Sequence, residues 1–490
     1  MNNNDHTKNK VLSSLIWSFL ERCGAQGVGL LVNIILARLL LPEDHGTLAI
    51  MMIFVNLANQ FVQNGFSTSL IQNRDVTDED YSSVLYISLI LSALLYGVIY
   101  FCAPFIADYY RAPSLTEPFR VLALLLFPSA LQSVQTARLR REMDFKQLFY
   151  LTVQSSVAGG IVGILMAFGG LGIWALVAQQ LCGATCICVV LWLKLRWKPQ
   201  AAMNWTRVRI LFSYGWKLLA ASILNTLYND LTGLIIGKKY TAITLAYYDK
   251  GQMLPQKLMT NVSDSMRSVM LSALAREQND RTRCKDMLRR SIQVSSFIIF
   301  PMMAGLAAVA KPVVEILLTE KWMPCVPFMQ LTCIIYAANT IFNANLQAMN
   351  ALGRSDMFLK LEIIKKIVGL SILVVTVFHF HFAIAIVWGN VFLIPFYLVV
   401  NAVPNKKIVG YSFKEQIADI LPPIFLSGLM FCIVSTIGEV GFSVWGTLTL
   451  QIPTGIAVYV CGASLTRMKT FFYIINMAKS FLYKYKQLKQ

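Results

Sequence analysis

Blocks of about 20 mostly apolar residues, the length that crosses a bilayer, recur along almost the whole chain with short polar breaks between them. They predict an all-α polytopic membrane protein of about fourteen spans. These lie near 12–37, 47–72, 81–107, 115–137, 148–169, 171–194, 211–237, 246–275, 288–310, 325–350, 356–379, 382–403, 417–438 and 445–466. The runs are continuous rather than alternating, which argues against a membrane β-barrel.

Several spans carry a polar face. In the first, Glu21 and Arg22 fall at membrane depth, where a charge is costly unless it faces protein or water. Arg22, Gln26, Gly29 and Asn33 follow helical spacing and share one side. In the second span Asn56, Gln60, Gln63 and Ser67 form an amide stripe, with Asn59 and Asn64 beside it. In the tenth, Asn339, Asn343 and Asn350 do the same, with Gln347 adjacent. The eighth span is the most polar: Lys250, Lys257, Asn261, Asp264 and Ser268 share a face, Asp249 and Arg267 lie nearby, and Pro255 predicts a kink or break. The third, sixth, ninth and eleventh to fourteenth spans read as plain apolar helices.

The pattern repeats after about 200 residues. Trp17, Arg22, Asn33 and Arg38 in the first span correspond to Trp216, Lys217, Asn225 with Asn229, and Lys238 in the seventh. RREMDFKQL at Arg140 likewise matches GRSDMFLKL at Gly353. The expected organisation is therefore two six-helix lobes, 1–200 and 201–405, followed by two extra helices in 406–466. Residues 467–490 mix aromatics with lysines and predict a basic amphipathic tail on anionic headgroups.

Composition agrees: 490 residues are 56% hydrophobic and 14% charged, with a formal net charge of +18. With the N-terminus inside, about 31 of the 43 Lys and Arg fall at inside loops and about 7 outside, which sets the orientation with both termini cytoplasmic. The charge is thus a topology signal rather than a nucleic-acid footprint. One inside loop dissents, the acidic NRDVTDED at 73–80. The opening MNNNDHTKNK is polar and is followed by a span too long for a signal peptide. Among ten cysteines, Cys182, Cys186 and Cys188 cluster on an apolar helix without a histidine, which reads as small buried side chains rather than a metal site. His379 and His381 read as loop.

The loops are short, so the chemistry is expected within the membrane. Arg22, Lys217, Lys250, Lys257 and Arg267 face Glu21, Asp230, Asp249 and Asp264 inside spans. Such charges between repeated halves mark alternating access around a hydrated cavity. The cationic excess suits an anionic substrate such as a diphosphate. Plainer readings stand beside this. Glu21 neutralises a neighbour, and Lys217 and the Asp249–Lys250 pair snorkel to the headgroups. Amides and the Gly159/Gly163 and Gly233/Gly237 pairs glue helices together. The expected cavity set is Arg22, Gln26, Asn33, Asn56, Gln60, Gln63, Lys217, Asn229, Asp230, Lys250, Lys257, Asp264 and Arg267. Glu21 or Asp264 is the expected coupling group for H+ or Na+. No nucleotide-binding loop occurs, and neither cofactor nor metal is expected.

LARLLLPEDHGTLA (Leu36–Ala49), GFSTSLIQ (Gly65–Gln72), RREMDFKQL, GGLGIWALVAQQL (Gly169–Leu181) and YDKGQMLP (Tyr248–Pro255) together resemble the MOP superfamily, in its polysaccharide transport branch of colanic-acid-type exporters and oligosaccharide flippases. The resemblance covers nearly the whole chain. It implies two pseudo-symmetric lobes in a bacterial inner membrane. It also implies translocation of undecaprenyl-diphosphate-linked sugar repeat units, with polymerase and glycosyltransferase partners in the same pathway. Alternatives in the superfamily are a peptidoglycan lipid precursor flippase and a cation-coupled drug exporter. The exporter reading is weakened because the acidic residue of its first helix would have to be Glu21, beside Arg22. A polytopic polymerase would need a sizeable extramembrane catalytic loop, and a passive scaffold has little use for so many charges in a bundle interior.

Overall fold

A computed structural model describes residues 17, 24, 26–63, 70, 76–142, 144–195, 197–200, 205–277, 280–352, 354–477 and 479. All regular structure among them is helical. The first unit holds α1 (Gln26–Leu39), α2 (Pro42–Gln63), α3 (Asp78–Tyr110), α4 (Pro113–Arg141), α5 (Phe145–Phe168), α6 (Ile173–Leu195) and α7 (Trp205–Lys239). α8 (Ala242–Arg276) follows, then α9 (Arg281–Ala308), α10 (Ala310–Leu318), α11 (Glu320–Ala351), α12 (Ser355–His379), α13 (Ile384–Ile408), α14 (Phe413–Glu439) and α15 (Val444–Leu465). Ten of these, all but α1, α7, α8, α10 and α12, are long and apolar enough to cross a membrane, so the chain is a multi-pass membrane protein. Two compact units divide it, Met1–Ala246 and Tyr247–Gln490. α7, which the repeat assigns to the second half, lies within the first unit.

Local chemistry explains the helix ends. Thr77 and Asp80 form a reciprocal capping box at the start of α3, with Asp78 and Glu79 in the same turn. The acidic loop that dissents from the charge rule is thus a helix start, where carboxylates complement the macrodipole. Asp144 caps α5, Asp280 caps α9 and Ser412 caps α14. Each copy of the repeated motif runs into the start of a fresh helix, α5 at Phe145 and α12 at Ser355.

Prolines decide where helices depart from the expected spans. α4 is not one continuous helix, because 3₁₀ turns occupy Pro113–Leu115 and Ala123–Leu125. Pro128 lacks the N–H that would bond Leu124, and its ring crowds that carbonyl, so the turn tightens there. α13 is interrupted at Leu393, just ahead of Pro395. The expected break at Pro255 does not occur: α8 runs uninterrupted from Ala242 to Arg276 with the proline buried. Neighbouring groups in a membrane bundle can accommodate the freed carbonyl. α10 was not expected; it occupies what reads in sequence as a loop between the ninth and tenth spans.

In the first unit the tightest contacts are made by glycines. A Cβ at Gly159 would sit 2.5 Å from the Gln179 carbonyl oxygen, and one at Gly163 would sit 2.8 Å from the Gln179 Cβ, so the pair seats α5 on α6. Gly237 faces Ile50 and Leu245, and Gly233 faces Ile53, which seats α7 on α2. Tyr110 Oη donates to the Leu234 carbonyl at 3.4 Å, and the Lys238 ammonium stacks 3.7 Å from the Tyr109 ring and donates to the Tyr109 carbonyl. Lysine here meets exposed carbonyls at the α3 C-terminus.

The second unit is held at one end by a polar clasp. Arg289 on α9 makes two bonds to Asp419 on α14, at 2.7 and 2.8 Å. Gln293 and Tyr411 donate to the same carboxylate at 2.9 and 2.7 Å. Lys285 pairs with Glu415 at 2.7 Å. Beneath them Asn405 donates to Asn345 and Asn345 to Gln416, all three buried, which ties α13, α11 and α14 together. The ninth and thirteenth spans are apolar enough to cross a membrane, with Arg289 and Asp419 just inside their starts and Lys285 and Glu415 just before them.

A Cβ at Gly46 would lie 1.8 Å from the Ala242 carbonyl oxygen, backbone against backbone. Gly46→Ala is expected to destabilise the protein by about 1–3 kcal/mol and lower its unfolding midpoint in detergent. Gly97→Ala on α3, with nothing within 4 Å of the new methyl, is expected to leave the midpoint unchanged or raise it. Equal responses from the two variants would contradict the close approach.

Candidate functional site

In the first unit the polar face lies along α1, α2 and α7. The Ile50–Gly237, Ile53–Gly233 and Gln60–Ser222 contacts show α2 and α7 running antiparallel. In that register Asn56 lies level with Asn229 and Asp230. Ser222 donates to Gln60 Oε1 at 2.8 Å, Asn56 and Asn229 are exposed, and Gln63 and Asp230 are half-buried. Six of the expected cavity residues, Asn56, Gln60 and Gln63 on α2 and Lys217, Asn229 and Asp230 on α7, thus belong to one helix pair. Two do not project freely. Asn33 is folded back on its own helix, donating to the Gly29 carbonyl at 2.9 Å. Gln26 has a buried Oε1 without a hydrogen-bond partner.

In the second unit the polar residues gather on α8. Gly251 brings the helix against α11, where a Cβ would meet Phe328 at 2.7 Å and the Cys325 carbonyl at 3.0 Å. Tyr247 and Tyr248 meet Trp322 and Phe328 edge-on. This seating buries Lys250 to 6% exposure, with its ammonium 5.6 Å from the Trp322 ring. Asp249 accepts from Gln252 at 3.2 Å, and Lys257 is half-buried two turns further on. For Lys217, Asp264 and Arg267 the structure describes the helical backbone alone. Because α8 is continuous, Lys250, Lys257 and Asp264 do occupy one helical face by position. Glu21 and Arg22 lie outside the described residues.

Sequence reasoning missed the clasp residues Lys285, Arg289, Glu415 and Asp419. The signal was available: two cations and two carboxylates, each pair four residues apart, near the starts of two helices.

Ten apolar helices of membrane length, with amides and ammonium groups on helices rather than in loops, define a multi-pass membrane protein. Comparison with known proteins places it further. The chain belongs to the polysaccharide biosynthesis protein family, whose model matches residues 35–327. It is 24% identical over 414 residues to the succinoglycan biosynthesis transport protein ExoT of Rhizobium meliloti (strain 1021), covering 84% of this chain and 81% of that one. It is 21% identical over 433 residues to the lipopolysaccharide biosynthesis protein WzxC of Escherichia coli (strain K12), covering 86% of each. Among solved structures it resembles the inward closed conformation of the lipid II flippase MurJ, with a TM-score of 0.72, 14% identity and coverage of 93% and 98%. An inward-facing multidrug resistance MATE family transporter of the MOP superfamily aligns with a TM-score of 0.59, 15% identity and coverage of 82% and 95%. The fold is therefore of the MurJ and MATE kind.

Lys250→Met keeps the shape of a buried side chain and removes its charge. It is expected to leave stability unchanged or raise it. Trp322→Leu, at a fully buried ring, is expected to cost about 2–4 kcal/mol. Thermal unfolding of the two purified variants checks this; a strongly destabilised Lys250→Met would make the lysine a packing element.

Proposed function

We propose that this protein is a flippase that moves undecaprenyl-diphosphate-linked oligosaccharide repeat units across a bacterial inner membrane. They would serve capsule, exopolysaccharide or O-antigen synthesis. The observation that carries the reading is the set of amide and ammonium groups along α2, α7 and α8 in a member of the polysaccharide biosynthesis protein family. The names of the relatives support it, one being a succinoglycan biosynthesis transport protein. The likeness to the lipid II flippase concerns the fold and does not select that substrate.

In this reading fourteen spans form two six-helix lobes and two extra helices, with both termini cytoplasmic. The diphosphate meets Arg22, Lys217, Lys250, Lys257 and Arg267 through charge-assisted hydrogen bonds. The sugars lie against Gln26, Asn33, Asn56, Gln60, Gln63, Asn229 and Asp230, while the polyprenyl tail stays in lipid. The lobes alternate in access, and Glu21 or Asp264 couples the cycle to H+ or Na+. A substrate shifts that equilibrium only by its differential affinity for the two states, so net accumulation needs this coupling. The protein acts as a transporter rather than an enzyme, alongside the glycosyltransferases and polymerase of its pathway.

The test is the sidedness of the lipid-linked oligosaccharide in cells with and without the gene, labelled from outside and quantified after extraction. Deletion is expected to trap the intermediate in the inner leaflet. Wild type restores exposure, and Lys257→Gln or Arg267→Gln lowers it about tenfold, the loss of one charged hydrogen bond. Normal exposure without the gene, with dye efflux lost instead, would overturn the reading.

A further inference from the structure

The second unit encloses a hollow of about 440 Å³ between α9, α11, α13 and α14. Its wall is almost wholly apolar, and its width comes from small residues: Ala304 and Ala307 on α9, Ala337 and Ala338 on α11, and Gly428 on α14. It opens along Ile334, Ile424 and Gly428, all exposed. A methyl added at Gly428 would meet nothing within 4 Å, so the space is free there. α13 and α14 touch each other sparsely, whereas each is firmly seated on the floor formed by α9 and α11. The polar Gln330 in the wall is engaged, donating to the Ala307 carbonyl at 3.2 Å.

The same two helices end, and begin, at a basic turn. Lys406 and Lys407 close α13, Lys414 lies in the first turn of α14, and all three are exposed. The nearest lining residues, Leu398 and Ile420, lie about 12 and 9 Å along their helices from Lys406 and Lys414 at 1.5 Å per residue. One leaflet of hydrocarbon is about 15 Å deep. The hollow therefore lies within reach of a chain whose headgroup is at the lysines.

We propose that this is a lipid site. An anionic phospholipid places its phosphate at Lys406, Lys407 and Lys414 and threads one acyl chain between α13 and α14. The volume favours a single acyl chain, being at the lower end of the roughly 300–1,000 Å³ of enclosed ligand sites; a polyprenyl chain several times longer overfills it. Opposite charge at the turn selects an anionic headgroup, since each lysine near such a surface contributes on the order of 1 kcal/mol. The site is independent of the transported substrate, and its occupant takes the place of side chains that would otherwise fill the gap between α13 and α14.

The test uses full-length protein in phosphatidylcholine vesicles containing a minor fraction of phosphatidylglycerol with a photoreactive acyl chain. After irradiation, adducts are mapped by mass spectrometry. Adducts are expected at Ile424, Gly428 or Leu398. They should be lost in Gly428→Leu and kept in Phe425→Leu, which alters an exposed residue that is not part of the hollow. Lys414→Gln should lower labelling about fivefold, the equivalent of one lysine. It carries no change in the apolar wall and so stands even if Gly428→Leu fails to fold. Equal labelling of the exposed face of α15, or labelling indifferent to these substitutions, would overturn the site. So would equal labelling by photoreactive phosphatidylcholine. Displacement by unlabelled polyprenyl phosphate but not by phosphatidylglycerol would assign the hollow to the sugar carrier instead. None of these outcomes depends on transport, so the flippase reading stands or falls separately.

Discussion

Hydrocarbon cannot hydrogen-bond, and most of this structure follows from that. Each backbone N–H and C=O at membrane depth must be satisfied within the protein, so all regular structure among the described residues is helical. Hydroxyls turn back to carbonyls for the same reason. Thr376 and Ser371 donate to the residue four positions earlier, and Ser92 donates both to Ser88 and across to Leu126 on α4. Prolines remain inside helices because neighbours can compensate, and where the geometry fails, as before Pro128, the helix tightens rather than opening to lipid.

Side-chain polarity obeys the same constraint in two ways. In the clasp, every charge has a partner: Asp419 accepts from Arg289, Gln293 and Tyr411 together, and burial with this hydrogen bonding holds the Tyr411 phenol far above its usual range. On α2 and α7 Asn56 and Asn229 are exposed. Groups placed so are costly against lipid and well suited to water. Contacts that are saturated hold helices together; contacts left open can exchange partners.

The long apolar spans were legible because burial against lipid leaves a composition signal that needs no knowledge of packing. The repeat puts α7 in the second half, whereas the compact units divide at Ala246 and leave it in the first. Helix continuity was not legible. Pro255 and Pro128 look alike in sequence, yet one sits in an unbroken helix and the other follows a 3₁₀ turn. The difference lies in which neighbours the turn meets. Spacing alone placed Gln60 and Asn229 on polar helix faces, and the structure sets those two helices side by side. Lys250 shows the limit: its position on α8 is periodic with Lys257, but only packing reveals that Gly251 draws it beneath Trp322. The clasp escaped notice because pairing across more than a hundred positions has no local signature.

α8 carries a geometric consequence. The boundary between the two compact units, Ala246 to Tyr247, falls inside this helix and not in a loop. A continuous helix keeps one direction from turn to turn, so the faces assigned to successive residues of α8 carry on across that boundary without a break in phase. The one donor that α8 lacks by chemistry is at Pro255, where the ring takes the place of the backbone N–H.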